Sequence, residues 1–295
     1  MMIDRARVAA ALPGYELGDQ IGAGAFGLVL AGWHRNLHRD VAIKVLSARG
    51  HDRAAAGSAI EARLLARFDH PHIIRVHDYV AADDLHLIVT EMMAGGTLTS
   101  HQADITQQGA CAIGLAVACA LSYAHSQGVL HRDIKPDNML FDTAGLLKVA
   151  DFGIAKLLDG AAATVNTVIG TPLFMAPEQV AGARLGPATD LYALAVVLYL
   201  LLTGTAPFDP APTLDRATPA PDGVPAPVMR IVLSALNRKP AARPPSAHTF
   251  AVDLARAAAH THRAPRQDPP QGGRTTPTSQ PGPPLGGPGV APRKK

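Results

Sequence analysis

The hydrophobic pattern divides the chain into a strand-like first third and a mostly helical remainder. Short stretches rich in β-branched and apolar residues predict strands, and longer stretches with apolar residues at helical spacing predict helices. The predicted strands are Tyr15–Ile21, Leu28–Trp33, Val41–Lys44 and Leu85–Thr90. The predicted helices are Ala54–Phe68, Ala110–His125 and Leu191–Leu202. The last two helices are nearly all apolar, so we expect them to be buried.

Three polar side chains stand beside a predicted hairpin in the middle of the chain. Two short apolar runs with a glycine turn between them, Met139–Leu140 and Leu146–Ala150, predict two antiparallel strands. This hairpin would bring Asn138 and Asp151 to one end, near Asp133 on the preceding loop. An amide and carboxylates at one point are oxygen ligands for a hard cation. Magnesium carrying a nucleotide phosphate fits such a sparse ligand set best.

A glycine-rich segment lies between the first two predicted strands. Residues 22–27 read GAGAFG, and in dinucleotide-binding folds such glycines open a helix, whereas strand-forming residues follow here. Taken alone, the segment is as compatible with an ordinary turn as with a loop that approaches phosphates through its backbone N–H groups. The next strand carries Lys44 on the same face as Ala42. In an apolar cleft, its ammonium group would need anionic partners.

Together, these motifs resemble the protein kinases, and most closely their bacterial, Hanks-type serine/threonine branch. The resemblance rests on HRDIKPDN at residues 131–138, DFG at 151–153, GxGxxGxV at 22–29, VAIK at 41–44 and APE at 176–178. It covers about residues 15 to 260. It implies an α+β, bilobal fold with a β-rich N-lobe carrying one main helix and a mostly α-helical C-lobe. ATP would bind between the lobes.

The resemblance also assigns domains and catalytic roles. Residues 1–14 would be an N-terminal extension, 15–262 the kinase domain (N-lobe about 15–91, C-lobe about 96–262), and 263–295 a disordered tail. Asp133 would accept the proton of the acceptor hydroxyl, and Lys135 would neutralise the γ-phosphoryl group. Asn138 and Asp151 would hold Mg²⁺, with Mn²⁺ as the alternative. Lys44, positioned by Glu61, would hold the α- and β-phosphates.

The implied nucleotide pocket draws on the glycine loop, the VAIK strand, the interlobe hinge and one C-lobe residue. Its residues are Ile21, Gly22, Gly24, Gly27, Val29, Ala42, Lys44, Glu61, Thr90, Glu91, Met93 and Leu140. The backbone of Glu91 and Met93 would hydrogen-bond adenine, and Thr90 would guard the back of the pocket.

The implied activation segment runs from DFG to APE. A phosphate on Thr164 or Thr167 could pair with Arg132, although each residue also fits an exposed loop threonine. Thr171 would shape the pocket for serine and threonine acceptors. Two structural roles complete the pattern: Asp190 would hold the catalytic-loop backbone, and Arg243 would pair with Glu178.

One departure from the family concerns the region that usually docks substrates. Six prolines lie between Phe208 and Ile231, a density that forbids a substantial helix. We therefore expect the family's docking helix to be lost or reduced to a turn.

Charge, apolar runs and cysteines indicate which partners and which cellular compartment to expect. The formal net charge is +3, but the tail alone carries six basic side chains and one acid, so a basic domain for nucleic acid is not indicated. Its charge would permit weak contact with an acidic membrane surface. The longest uncharged apolar run, Leu191–Leu202, is shorter than the ~20 residues of a membrane span. We expect a cytoplasmic protein without a transmembrane segment, and read Cys111 and Cys119 as small buried hydrophobes of a reducing compartment.

The resulting interpretation is an ATP-dependent serine/threonine protein kinase in signalling, with protein substrates and autophosphorylation of its activation loop. A homodimer through the N-lobe is a further expectation from the bacterial relatives. Two other classes of protein share parts of this pattern. A pseudokinase scaffold would be expected to lack Lys44, Asp133 or Asp151, and all three are present. Small-molecule phosphotransferases of related fold lack the DFG-to-APE activation segment, although the altered docking region keeps this alternative open.

Overall fold

The computed structural model describes residues 4–24, 27–47, 66–152, 172–207 and 223–263. They form two lobes, as the α+β, bilobal expectation required. The first lobe begins with helix α1 (Arg5–Ala11) and continues as an antiparallel sheet. Its strands are β1 (Tyr15–Gly24), β2 (Gly27–His34), β3 (Arg39–Ser47), β4 (Val76–Ala82) and β5 (Leu85–Glu91). Their spatial order is β1-β2-β3-β5-β4.

The side chains of strand β3 alternate between the two faces of this sheet. Val41, Ile43 and Val45 are fully buried on one face, and Ala42 and Lys44 alternate with them and are only half-buried. The register aligns Lys44 with Val29 of β2 and with Ile88 of β5. The alternation inferred from VAIK therefore holds, because successive side chains of a strand point to opposite faces.

Helix α1 covers the apolar face of the sheet. Asp4 caps it by accepting the N–H of Ala6 at 2.9 Å. Val8 and Leu12 are buried in the same apolar cluster as the inward side chains of β3 and β5. Arg7 also pairs with Asp84 at 2.6 Å, at the turn between β4 and β5. The hydrophobic pattern of the sequence did not reveal this helix.

The second lobe is mostly helical. Its helices are α2 (Leu98–His101), α3 (Gln107–Ser126), α4 (Pro177–Val180), α5 (Pro187–Thr203), α6 (Ala226–Ala235) and α7 (Ala247–Arg263). A two-stranded antiparallel sheet of β6 (Met139–Phe141) and β7 (Leu147–Val149) completes it. This sheet is the hairpin expected from the sequence, and Gly145 turns it with φ of 83°.

Helix α5 forms the centre of the second lobe. Thirteen of its seventeen residues are buried, and Gly204 ends it in the left-handed conformation with φ of 74°. Helix α3 packs closely against α5 and α7 at Gly114, where an added Cβ would lie 2.9 Å from Leu198 and 2.8 Å from Leu254. This helix layer is the platform on which the loops of the second lobe rest.

Helix α3 is the one described helix that is long and apolar enough, by length and composition, to cross a membrane. Eight of its residues are buried within the second lobe. The core helices of soluble proteins satisfy the same criteria, so this is weak evidence for a span.

Three expectations from the sequence need correction. The helix predicted over Ala54–Phe68 does not reach its predicted end, since residues 66 and 67 form a turn and Phe68 is not helical; residues 54–65 lie outside the described ones. The proline density does not exclude a helix throughout its region, since helix α6 begins at Ala226 with Pro227 in its first turn. Proline is tolerated there because the first N–H groups of a helix have no partner within it. Residues 208–222 lie outside the described ones, so the loss of the docking helix stays a prediction. Cys119 is exposed rather than buried, and Cys111 is half-buried.

Candidate active site

The catalytic loop joins helix α3 to strand β6. Lys135 donates to the carboxylate of Asp133 at 2.7 Å. The amide nitrogen of Asn138 donates to the same carboxylate at 3.1 Å and to the carbonyl of Asp133 at 2.7 Å. Both side-chain bonds end on Oδ2, which leaves Oδ1 of Asp133 for another donor. The structure thus brings together three residues that the sequence assigned to catalysis.

These contacts control the ionisation of Asp133. Burial alone would raise its pKa, but the hydrogen bond and the positive charge of Lys135, together with the bond from Asn138, outweigh burial. The net result is a pKa below the ordinary value of 3.8. Asp133 is therefore a carboxylate at neutral pH and can accept a proton.

Asp190, near the start of helix α5, holds the backbone of this loop. Its carboxylate accepts the N–H of Arg132 at 2.7 Å and that of His131 at 2.9 Å. The ring of His125, at the end of α3, lies 2.8 Å from the same carboxylate. Arg132 adopts a left-handed conformation with φ of 67°, which is uncommon for a residue with a side chain. Asp190 thus stabilises an unfavourable backbone turn directly before Asp133.

His131 connects the catalytic loop to the segment after β7. Its Nε2 lies 2.8 Å from the carbonyl of Ala150, and its Nδ1 accepts the N–H of Asp133 at 3.2 Å. Burial lowers the pKa of His131, so the ring is neutral, as one donor and one acceptor nitrogen require. Its ring centroid is 4.6 Å from that of Phe152. Asp151 lies between two residues that contact His131.

Asp151 meets the first lobe through Lys44. The Nζ atom of Lys44 is 2.6 Å from Oδ2 of Asp151. Asp151 has φ of 60°, another left-handed residue, which turns the chain at the end of the hairpin. Ala150 donates its N–H to the carbonyl of Asn138 at 2.8 Å, so Asn138 and Asp151 are held at the same end of the hairpin.

The donor atoms fit a divalent cation that also binds phosphate. The amide nitrogen of Asn138 is used within the loop, so its oxygen is the atom left for a metal. Asp151 adds a carboxylate. Among the described residues, no group of three or more His, Cys, Asp or Glu side chains could hold a metal ion by itself. A site with only two protein oxygens leaves the other ligand positions to phosphate oxygens and water. Magnesium is usually bound in this way, rather than enclosed by protein ligands.

The predicted hinge is fixed by a contact that sequence reasoning missed. The carboxylate of Glu91 accepts two bonds of 2.8 Å from Lys148 on β7 and one of 2.7 Å from the N–H of Arg75. The N–H of Glu91 itself donates to the carbonyl of Arg75 at 3.1 Å. Its carbonyl accepts the hydroxyl of Thr90 at 3.3 Å, and the second lone pair of this oxygen is left for a base. Thr90 lies directly before Glu91, opposite Ala42 in the sheet.

The described residues of the glycine-rich segment pair across β1 and β2, with Gly22 opposite Val29 and Gly24 opposite Gly27; residues 25 and 26 lie outside the described ones. A Cβ at Gly27 would collide with the carbonyl oxygen of Val45, so only glycine fits there. Ile21 is exposed at this edge, and Met93 and Leu140 are half-buried further along the chain. The structure places these pocket residues, and their contact with a nucleotide stays a prediction.

Four predicted residues lie outside the described part of the chain. They are Glu61, Thr164, Thr167 and Thr171.

Glu178 of helix α4 and Arg243, which precedes helix α7, form a buried ion pair. Two guanidinium nitrogens lie 2.6 and 2.8 Å from the two carboxylate oxygens, and Thr189 donates to Glu178 at 2.9 Å. Burial would raise the pKa of Glu178, but the hydrogen bonds from Arg243 and Thr189 outweigh it, and the pKa is lowered. This pair anchors helix α4 to the segment before α7.

Comparison with known proteins decides the family. Residues 15–253 match the protein kinase domain family. The chain belongs to this family. The serine/threonine-protein kinase pkn3 of Myxococcus xanthus is 36% identical over 272 residues, which cover 81% of this chain and 49% of that protein. The serine/threonine-protein kinase PknB of Mycobacterium leprae is 35% identical over 272 residues, covering 82% and 42%.

A solved kinase structure has the same architecture. The kinase domain of Mycobacterium tuberculosis PknI matches with a TM-score of 0.68 at 32% identity, over 83% of this chain and 96% of that domain. The described lobes are therefore those of a protein kinase, with bacterial serine/threonine kinases among its homologues. The chain spans less than half the length of pkn3 and PknB.

Proposed function

We propose that this chain is a serine/threonine protein kinase that transfers the γ-phosphoryl group of ATP to serine and threonine hydroxyls of proteins. The observation that carries the proposal is the arrangement around Asp133. Its ionised carboxylate is held by Lys135 and Asn138, with one oxygen left for a hydroxyl donor. The curated relatives named above are serine/threonine-protein kinases, which supports the same assignment.

In this mechanism, Asp133 accepts the hydrogen bond of the substrate hydroxyl and orients its oxygen toward the γ-phosphorus. The new P–O bond forms as the bond to the β,γ-bridging oxygen breaks, and Asp133 takes the hydroxyl proton. Lys135 is bonded to Asp133 and supplies positive charge beside the transferred group. Phosphoryl transfer depends mainly on such positioning and charge neutralisation.

Lys44, Asn138 and Asp151 would hold the nucleotide and its metal. Lys44 supplies a cation for the α- and β-phosphates, and Asn138 and Asp151 supply oxygen ligands. When bound, the divalent cation neutralises the developing phosphate charge. We propose Mg²⁺ because both ligands are hard oxygens, with Mn²⁺ as the alternative of similar ligand preference.

Several finer points stay predictions. They include autophosphorylation at Thr164 or Thr167, the role of Thr171 in acceptor choice, a role in signalling and a cytoplasmic location. An N-lobe homodimer and weak membrane contact by the basic tail are predictions of the same kind. The charge of residues 263–295 supports the membrane contact.

The test is transfer of radiolabelled γ-phosphate from ATP to the purified chain and to a general protein acceptor. Asp133→Asn and Lys44→Met should each reduce labelling by orders of magnitude while the thermal transition is kept. Asp142→Asn is the matched control, since it makes the same change in the nearby hairpin turn, where an amide oxygen can still accept the N–H groups of Ala144 and Leu146. Labelling only of small hydroxylated metabolites would instead support the small-molecule phosphotransferase.

A further inference from the structure

Gln179 links two segments of the second lobe that are far apart in sequence. It is the third residue of helix α4, and its Oε1 accepts the N–H of Ala176 at 3.1 Å. Its Nε2 donates to the carbonyl of Arg132, in the catalytic loop, at 2.9 Å. The oxygen of this side-chain amide thus caps the start of its own helix, and its nitrogen bonds to the catalytic loop.

The peptide group that receives this bond is the one that carries Asp133. Its carbonyl oxygen, on Arg132, is held by Gln179, and its N–H, on Asp133, donates to Nδ1 of His131 at 3.2 Å. On the other side of Arg132, the N–H is held by Asp190. A left-handed residue with a side chain persists only where its surroundings hold it, and here Arg132 is held at both of its backbone polar groups.

Helix α4 offers a rigid support for this contact. Glu178, one residue before Gln179, is buried and bonded to Arg243 and Thr189. The amide of Gln179 therefore projects from a fixed turn rather than from a mobile surface. A hydrogen bond from a rigid element orients its partner with little loss of side-chain freedom.

We propose that Gln179 is a positioning residue for Asp133, acting through the carbonyl of Arg132. The proposal rests on the proposed kinase function. The bond sets the orientation of the Arg132–Asp133 peptide and so the direction in which the carboxylate of Asp133 faces the acceptor hydroxyl. Because the same side chain bonds to Ala176, the orientation of the Asp133 carboxylate also depends on the position of Ala176. Ala176 is the first residue of the APE motif, where the implied activation segment ends.

The chemistry of Gln179 allows its two bonds to be tested separately. Gln179→Glu keeps the chain length and the acceptor for Ala176, but its carboxylate cannot donate to Arg132 at neutral pH. We expect kcat to fall about 10- to 100-fold, the range that small misplacement of a catalytic group produces. The KM for ATP and the thermal transition should stay close to those of the wild type, because neither the nucleotide residues nor the helix cap is changed.

Acidic pH supplies a readout that a helix cap alone would not move. A protonated Glu carries an O–H donor that can restore the bond to Arg132. The ratio of variant to wild-type kcat should therefore rise as the pH falls toward 5. Gln179→Met, which loses both bonds, should show low kcat without this recovery. Gln127→Glu, the same change at an exposed position, is the control.

The outcomes separate this inference from the proposed function. An inactive wild type would refute the kinase assignment and the role of Gln179 with it. An active wild type with normal kcat in Gln179→Glu would leave the kinase assignment intact and reduce Gln179 to a helix cap. Loss of the thermal transition in Gln179→Glu would also overturn the positioning role. So would a ratio of variant to wild-type kcat that does not change with pH.

Discussion

The ammonium group of Lys44 lies 2.6 Å from the carboxylate of Asp151. Lys44 belongs to strand β3 of the first lobe, and Asp151 follows strand β7 of the second. The side chain of Lys44 is 19% exposed and that of Asp151 is 40% exposed, so solvent screens the pair only in part. The contact brings the residue assigned to phosphate binding next to the residue assigned to the metal.

Asp151→Asn should abolish the benefit of magnesium for nucleotide binding. The substitution removes the negative charge that attracts the cation and keeps the size of the side chain. In the wild type, ATP with Mg²⁺ should raise the melting temperature more than ATP alone. In Asp151→Asn, we expect the two shifts to become equal. Thermal denaturation with and without Mg²⁺ measures this, and Asp142→Asn should behave as the wild type. A full magnesium-dependent shift in the variant would contradict the ligand assignment.

Lys135→Met should move the acid limb of the pH–rate profile to higher pH. Lys135 is the main group that keeps the pKa of Asp133 low against the effect of burial. Without it, the pKa of Asp133 rises, so the carboxylate becomes protonated, and the rate falls, at a higher pH. The profile of kcat/KM for a protein acceptor measures the shift. Lys239→Met, at an exposed position, is the control. A lower rate with an unmoved acid limb would show that Lys135 does not set this pKa.

Glu178→Gln should destabilise the fold by about 3–5 kcal/mol, because Arg243 would keep a buried charge without its carboxylate partner. Urea unfolding measures the loss. Glu16→Gln, which removes an exposed pair with Arg35, should cost less than about 1 kcal/mol.

The same pair predicts a pH dependence. The pKa of Glu178 lies below its ordinary value of 4.5 in the folded protein, so its contribution is fully present above that value and lost as the pH falls through the folded pKa. The stability difference between wild type and Glu178→Gln should therefore shrink in acid. A difference that is constant down to the acid transition would contradict the ion pair.

Leu12→Ala should cost about 2–5 kcal/mol, as expected for truncation of a fully buried leucine. The loss would show that residues before the kinase sheet belong to the core of the first lobe. Urea unfolding followed by the fluorescence of Trp33, the one tryptophan of the chain, reports on this lobe. Leu37→Ala, at a side chain that is 59% exposed, should change stability by less than about 0.5 kcal/mol. Equal effects of the two substitutions would argue against the packing of α1.

Local sequence was sufficient for the catalytic hairpin. Met139 pairs with Val149 in the observed register, and that pairing alone places Asn138 and Asp151 at one end. The same holds for Lys44, whose face of β3 follows from alternation in four residues. Both results depend on contacts between neighbours in sequence or across one tight turn, which periodicity describes directly.

Local reasoning failed where position within an element mattered more than composition. The proline density predicts no substantial helix before Ile231, but Pro227 occupies the first turn of α6, where it removes no helical hydrogen bond. The predicted helix reaches too far, because Phe68 continues the apolar spacing beyond the turn at residues 66 and 67. Periodicity shows which face is apolar and says little about where a helix ends.

By itself, the sequence determined the family, the α+β order of elements and the residues that carry the chemistry, since these are written in short motifs. Only the tertiary structure decided how those residues are supported. Val8 covers the sheet, Lys148 holds the hinge through Glu91, and Gln179 holds the peptide before Asp133. Each contact joins segments distant in sequence through one or two side chains, and such pairs leave no periodic signal in the chain. These contacts form only when the chain has folded.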